Sequence, residues 1–277
     1  MSETRQQGGG RDTRSVRREY VDGPFGQMHV RRVGTPGEGK RPLVCFHLTP
    51  GSGRMYEELL VEMGRDRCVL APDTPGYGAS DPPPAVPTIA DYARAMSAVF
   101  DHYGIESVDL LGYHTGSKIA VELALTQPAR VHAIALVSAP VYTDAELAEQ
   151  ARTLATPREL DEDGQHLVDQ FRELVRWRPA GTPLELIQRE FAEQLRAGER
   201  AHWGHLAAFS YHHAEHLPRV RQEVLLLCPE DDLEAPTLRA EPLINRGRFV
   251  RLPGWGHQMM ITRTAEVAAL LREHFDR

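Results

Sequence analysis

The sequence lacks several features that would assign it to a specialised class of protein. No apolar run approaches the roughly 18 to 20 residues that a membrane-spanning helix requires, so we expect no membrane partner. A formal net charge of -7 over 277 residues argues against a nucleic-acid partner, which would normally require a basic stripe. Residues 1–18 hold no apolar core of a secretory signal, and their polar, arginine-rich composition predicts a disordered tail on a cytoplasmic protein.

Cysteine is also scarce, and its positions indicate neither a disulfide framework nor a metal site. The three cysteines lie in or beside apolar runs, where a thiol usually behaves as a small buried hydrophobe: Cys45, Cys68 and Cys228. The chain has no CxxC spacing of the kind that binds zinc.

The sequence does contain a regular alternation of short apolar runs and helix-period segments from about Glu19 onward. Eight runs have the length and composition of strands: REYVD, GQMHVRRV, PLVCFH, RCVLAPD, VDLLG, HAIALVSA, EVLLLCP and RFVRLPG. Helical stretches lie between them at residues 53–63, 88–103 and 117–127. The alternation predicts an α/β fold in which helices cover both faces of a mostly parallel eight-stranded sheet.

This alternation stops after the sixth strand. Residues 140–222 carry only amphipathic helix patterns interrupted by proline and glycine, which predicts four short helices forming a lid inserted into the sheet domain. The core would then comprise residues 19–139 and 223–277. Within the lid, the helical period places Trp203, Leu206 and either Phe209 or Ser210 on one face.

Five short segments follow the predicted strands in an order that resembles a known family. FHLTPGSGRMY follows the third strand, APDTPGYGASD the fourth, LGYHTGS the fifth, CPEDDLEAP the seventh and GWGH the last. In this order and strand context the chain resembles the α/β-hydrolase fold, in particular its lid-bearing branch. The resemblance covers roughly residue 19 to the C terminus and implies a hydrolase-like enzyme.

The GxHxG frame is the most unusual of these segments. Its glycines flank His114 because a sharp strand-to-helix turn crowds the backbone and projects the central side chain at a helix N terminus. Members of the family usually carry a serine, aspartate or cysteine nucleophile here. The resemblance implies that His257 is the general base and that Asp232 orients it, with Asp231 and Glu230 as neighbouring competitors for that role.

The resemblance also implies backbone and pocket positions. HLTPG is similar to the HGxPG segment of the family, which makes the backbone N–H groups of Thr49 and Thr115 the expected oxyanion hole. Leu48 departs from this pattern, because the family prefers glycine there. We expect aliphatic and aromatic side chains of these loops and of the lid to bind substrate: Leu48, Tyr56, Tyr113, Tyr142, Trp177, Trp203 and Trp255.

A histidine at position 114 limits the chemistry. In relatives with aspartate here, such as haloalkane dehalogenases and epoxide hydrolases, water opens an ester intermediate; an alkyl-imidazole has no carbonyl, so both reactions are disfavoured. An acyl-imidazole can be hydrolysed, which permits cleavage of esters, thioesters or lactones. Alternatively, His114 and His257 form a coupled acid and base pair, suited to carbon–carbon cleavage, decarboxylation, cyclisation or direct attack by water.

Two other hypotheses stay open at this stage. His114 and His257, with His47 and a carboxylate, have the ligand types of a metal site, but Asp232 is expected to stand behind His257 instead. The second hypothesis is that the chain is a pseudoenzyme that binds a ligand or a protein. The favoured prediction is a cytoplasmic enzyme without metal or cofactor that hydrolyses an ester, thioester or carbon–carbon bond in a small, largely apolar carbonyl substrate. A lyase, decarboxylase or cyclase is the alternative, and a homodimer is left open.

Overall fold

In the part of the chain that the computed structural model describes, residues 15–277, eight strands form one sheet. The strands are β1 (Arg17–Gly23), β2 (Gly26–Val33), β3 (Lys40–Phe46), β4 (Arg67–Pro72), β5 (Val108–Tyr113), β6 (Val131–Val137), β7 (Glu223–Pro229) and β8 (Gly247–Leu252). Their order is β1-β2-β4-β3-β5-β6-β7-β8. Only the β1–β2 and β2–β4 pairs are antiparallel, so the predicted mostly parallel sheet is confirmed.

Helices cover both faces of the sheet, as the alternation predicts. They are α1 (Glu57–Met63), α2 (Ile89–His102), α3 (Thr115–Thr126), α4 (Asp144–Leu154), α5 (Gln165–Arg176), α6 (Leu184–Leu195), α7 (Trp203–Phe209), α8 (His213–His216), α9 (Glu234–Leu238), α10 (Met259–Thr262) and α11 (Thr264–Phe275). Helices α2 and α3 share one apolar core with the sheet, while α1, α10 and α11 share the other. Because helices cover both faces, every residue of β4 and β5 is buried, and most of them are apolar.

Local capping explains where two of the helices begin. At the start of α2, the Thr88 hydroxyl accepts a hydrogen bond from the Asp91 N–H while the Asp91 carboxylate accepts one from the Thr88 N–H. Thr143 and Glu146 form the same reciprocal pair at the start of α4. Such capping boxes satisfy N–H groups that have no acceptor inside the helix, so sequence alone sets these boundaries.

Residues 138–222, here called the insert, connect β6 to β7 and contain five α-helices, not the predicted four. The additional helix, α8, is a single turn, and so short a segment shows no amphipathic period. Helices α4 and α5 bury no residue, whereas α7 packs closely on the core. A Cβ at Gly204 of α7 would lie 2.6 Å from the Thr49 Oγ1, so only glycine permits this approach of α7 to the loop after β3.

The predicted N-terminal tail, residues 1–18, is described only from residue 15 onward. Strand β1 begins at Arg17, inside the segment predicted as a tail, and residues 1–14 of that segment lie outside the described residues. Among residues 15–277, no helix has both the length and the apolar composition needed to cross a membrane.

Candidate active site

The turn between β5 and α3 holds His114 in a conformation that few side chains adopt. His114 has φ 48° and ψ −111°, and its N–H donates to the Val137 carbonyl at 3.0 Å. A Cβ at Gly112 would lie 2.2 Å from the Gly116 carbonyl oxygen, and one at Gly116 would lie 2.1 Å from the Phe46 carbonyl oxygen. Both glycines are therefore required by backbone contacts, and together they fix the histidine at the carboxyl edge of the sheet.

Two histidine–aspartate pairs meet at this edge. The Nε2 of His114 lies 3.3 Å from the Oδ2 of Asp231, and the Nε2 of His257 lies 2.8 Å from the Oδ1 of Asp232. The two imidazole centroids are 5.2 Å apart, with an angle of 71° between the ring planes. The structure thus brings together the three residues predicted as catalytic and adds Asp231, which sequence reasoning treated only as a competitor of Asp232.

Asp231 accepts two hydrogen bonds in addition to its contact with His114. Ser138 donates its hydroxyl to the Oδ2 at 2.6 Å, and the Leu233 N–H donates to the Oδ1 at 2.9 Å. The carboxylate is fully buried, and Ser138 has φ 50°, a strained value for a residue with a side chain. The signal in the sequence was two consecutive aspartates after β7 in a chain with two candidate histidines.

Electrostatic interactions favour the charged forms of the His257 pair. Burial disfavours an imidazolium, but the contact with Asp232, followed by the charges of Asp231 and Glu190, outweighs it and raises the pKa of His257 to about 9. Burial also opposes ionisation of Asp232, but the contact with His257 dominates and lowers the pKa of Asp232 to about 2. His257 is therefore protonated at neutral pH.

The same balance operates at the buried Asp231 carboxyl. Burial opposes its ionisation, but the hydrogen bond and charge of His114, the charge of His257 and the Ser138 hydrogen bond lower its pKa below the ordinary value. Asp231 is consequently ionised at neutral pH and acts as a hydrogen-bond acceptor toward His114.

His47 does not belong to this cluster. The Thr74 N–H donates to its Nε2 at 2.8 Å, so the other ring nitrogen, Nδ1, carries the proton and donates to the Leu48 carbonyl at 2.7 Å. Burial lowers the pKa of His47, which keeps the ring neutral. Both nitrogens are thus occupied in shaping the loop after β3, and the suggestion that His47 is a metal ligand is corrected.

Four other side chains carry donor atoms that suit a metal ion. One ligand atom from each of His114, Asp231, Asp232 and His257 lies within 4.8 Å of the others. A metal ion bound by all four would replace both histidine–aspartate contacts.

A cavity of about 670 Å³ lies between this edge of the sheet and the insert. The core side of its wall includes the two histidines, Asp232 and Lys118, whereas helices α4 to α7 form the opposite side. Much of the insert side is apolar, with Leu154, Leu174 and Phe209 on the wall. A space of this size and character suits a small, largely apolar molecule.

Three of the residues predicted to bind substrate, Leu48, Tyr142 and Trp177, line the cavity. Two others lie beneath the site instead. Tyr56 is fully buried and donates its hydroxyl to the Phe46 carbonyl at 2.9 Å, so it supports the loop after β3. Tyr113 is also fully buried, with its ring stacked on His257 at 6.4 Å between centroids.

The prediction for the remaining two residues, Trp203 and Trp255, also needs correction. The residues of this region that line the cavity are His202, just before α7, and His205, Ala208 and Phe209 on it. Of the predicted face, Phe209 lines the cavity but Trp203 and Leu206 do not, because periodicity does not say which side of a helix meets the core. Trp203 lies under the Arg200 guanidinium, and Trp255 lies under that of Arg263, each outside the cavity wall.

The two residues predicted to supply an oxyanion hole lie on the cavity wall. Thr115 is the first residue of α3, where a backbone N–H has no acceptor within the helix. Thr49 lies in the loop after β3, between Leu48 and Pro50, which also line the cavity.

The sequence of the chain matches a known protein family. Residues 41–264 match the family described as alpha/beta hydrolase fold, and the chain belongs to this family. A thermophilic esterase from Thermogutta terrifontis has the same fold, with a TM-score of 0.75 over 93% of this chain and 97% of that one. The two sequences are 19% identical, so the likeness concerns the fold alone.

Similarity to curated relatives is confined to parts of each protein. Haloalkane dehalogenase 2 of Mycobacterium tuberculosis (strain ATCC 25618 / H37Rv) is 29% identical over 142 residues, which cover 50% of this chain and 48% of the relative. The dihydrolipoyllysine-residue acetyltransferase component of the acetoin cleaving system of Cupriavidus necator is 39% identical over 77 residues, covering 28% of this chain and 21% of the relative. The chain thus spans less than half the length of these relatives.

Proposed function

We propose that the protein hydrolyses small, largely apolar carbonyl compounds, cleaving an ester, a thioester or a carbon–carbon bond beside a carbonyl group. The main support is the pair of imidazoles in one cavity, 5.2 Å apart between centroids, each with its own carboxylate. Membership of the alpha/beta hydrolase fold family and the likeness to an esterase support a hydrolase-like enzyme.

The contacts of the two pairs support a base role for His114 and an acid role for His257. An ionised carboxylate only accepts, so the Nε2 of His114 carries the proton shared with Asp231, and in the tautomer with no second proton the Nδ1 holds a lone pair. His114 is then the base that accepts a proton from water. His257 was expected from the resemblance to be the general base, but it is protonated at neutral pH, so we assign it instead as the acid that donates a proton to the departing group.

In the proposed reaction, the water oxygen attacks the carbonyl carbon while His114 takes its proton. The oxyanion that develops is stabilised by the N–H groups of Thr49 and Thr115, both on the cavity wall. Collapse of this intermediate breaks the bond to the leaving group, which receives the proton of His257. Transfer of a proton from His114 to His257 restores the starting state.

The insert acts as the lid in this proposal. It supplies most of the apolar wall, including Leu154, Leu174 and Phe209, and therefore sets the size and polarity of the substrate. Covering the cavity also limits the water around the two pairs, which strengthens their electrostatic effects.

A covalent route through His114 is a second candidate, favoured by its strained backbone at the turn before α3. The Nδ1 would attack the carbonyl carbon, the leaving group would depart, and water would hydrolyse the acyl-imidazole. Dehalogenation of the kind named for the mycobacterial relative does not fit this residue, because an alkylated imidazole offers water no carbonyl to attack.

The same two pairs also suit a lyase, decarboxylase or cyclase, because each of these reactions needs a positioned acid and base rather than a nucleophile. A pseudoenzyme, the remaining alternative, has no use for two aligned histidine–aspartate pairs.

The test is hydrolysis of a panel of short acyl esters and thioesters and a β-diketone by the wild-type protein, His114→Ala and His257→Ala. We expect turnover that either substitution lowers by about a hundredfold or more. Turnover that survives both substitutions would contradict the proposal. An acyl adduct on a peptide containing His114 after a brief ester pulse would favour the covalent route instead.

A further inference from the structure

Lys118 has no role in the proposed hydrolysis, although it lies on the cavity wall. It is only 3% exposed and lies in the first turn of α3, four residues after His114. Lysine occurs twice in this chain, at positions 40 and 118, among 32 lysines and arginines. A buried lysine beside a reaction cavity therefore calls for an explanation.

Within the described part of the chain, the surroundings of Lys118 provide no counter-ion for its charge. Its Nζ donates to the Tyr211 carbonyl at 2.6 Å and lies 5.8 Å from the centre of the Tyr211 ring. His213 is buried nearby and has its Nδ1 at 3.1 Å from the Pro140 carbonyl. Among residues 15–277, no carboxylate forms an ion pair with Lys118, and burial alone lowers its pKa to about 7.

The Lys118 ammonium has more N–H donors than the Tyr211 carbonyl accepts, and a negatively charged partner would stabilise it. It carries three N–H groups, of which the Tyr211 carbonyl takes one. An isolated charge in an apolar setting is costly unless it is paired. Arg158, another basic side chain on the cavity wall, is exposed and donates to the His166 carbonyl and to Gln170, so it does not share this situation.

We propose that Lys118 binds a carboxylate group of the substrate, so that the natural substrate is an apolar carbonyl compound with an acidic end. This inference rests on the proposed function in one respect, namely that the cavity binds the substrate. A single carboxylate matches one ammonium in charge, whereas a phosphate dianion would need a second cation, and the His257 imidazolium on the same wall is already paired with Asp232. Pairing with the carboxylate would also stabilise the protonated form of Lys118.

The experiment measures binding and needs no turnover, so that failure of the hydrolase proposal would not obscure it. Hexanoate and its neutral analogue hexanamide are titrated calorimetrically into the wild-type protein, Lys118→Met, Lys118→Gln, His257→Ala and the control Lys40→Met. Lys118→Met keeps the length and apolar stem of the side chain, while Lys118→Gln retains a donor for the Tyr211 carbonyl. Thermal unfolding of each variant verifies that it is folded.

We expect the wild-type protein to prefer hexanoate to hexanamide and both Lys118 variants to lose at least about tenfold of that preference. Lys40→Met should keep it, because Lys40 pairs with Asp66 and Asp276 away from the cavity. The proposal is overturned if the preference survives in both Lys118 variants. It is also overturned if only His257→Ala abolishes the preference, because the carboxylate would then lie at the imidazolium.

Discussion

The two histidine–aspartate pairs lie in one cavity but are built differently. His257 and Asp232 come from loops after β8 and β7, approach to 2.8 Å and raise the pKa of the histidine to about 9. His114 comes from a strained turn, and its carboxylate partner, at 3.3 Å, is fully buried and bonded to Ser138. One pair is thus an ion pair that faces the cavity, and the other is a ring held against a fixed acceptor. This difference suits an acid and a base working on one substrate.

Removal of either imidazole should have the largest effect. We expect His257→Ala and His114→Ala each to lower kcat/KM by roughly 100- to 10,000-fold, because each removes a positioned acid or base. The double variant should lose little more than the worse single variant, since the two groups act as a unit. Steady-state kinetics on the best substrate of the panel measures all three values. Losses that multiply in the double variant would show that the pairs act independently.

Neutralising each carboxylate should have a smaller effect. We expect Asp231→Asn and Asp232→Asn to lower kcat/KM by at least about tenfold, the usual worth of a hydrogen bond to a charged group. Asp109→Asn is the matched control, because Asp109 pairs with His132 at 2.9 Å at the start of β5, away from the cavity. This control should retain kcat/KM. An equal loss in the control would indicate that the effect is structural.

The pH dependence should separate the pairs further. Because the His257 pKa is raised to about 9, the acid is present below that pH, and kcat/KM should fall as the pH rises through it. Replacing Asp232 by asparagine removes the main cause of the raised pKa, so the falling limb should move toward the ordinary value of about 6.5. Full profiles of kcat/KM against pH measure both limbs. A limb that stays in place in Asp232→Asn would assign it to another group.

The smallest effect should follow the loss of a single supporting hydrogen bond. Ser138→Ala removes the donor at 2.6 Å from Asp231 while leaving both catalytic rings in place. We expect a loss of about 1 kcal/mol in the free energy of unfolding and less than a tenfold loss of kcat/KM. Chemical denaturation and kinetics measure the two quantities. A loss of activity equal to that of Asp231→Asn would make Ser138 a direct participant in catalysis.

The sequence predicted much of the site because the family landmarks follow strands in a fixed order. His114, Asp232 and His257 meet as that order implied, since the carboxyl ends of the parallel strands β5, β7 and β8 share one edge of the sheet. Asp231 was not predicted as a partner of His114. The directions in which two adjacent aspartate side chains point are set only when the loop after β7 folds. The assignments of Trp203 and Trp255 were wrong because helical period and residue type do not reveal which side faces a cavity.

The sequence by itself determined the alternation of strands and helices, the capping boxes at Thr88 and Thr143, and the glycines that permit the turn at His114. These features depend on neighbours along the chain and on backbone sterics. Only the tertiary structure decided which carboxylate each histidine contacts, how α7 approaches the loop after β3, and that Lys118 is buried with no acidic partner among residues 15–277. Such contacts join residues far apart in the chain, and their distances are fixed only when the whole sheet and the insert pack together.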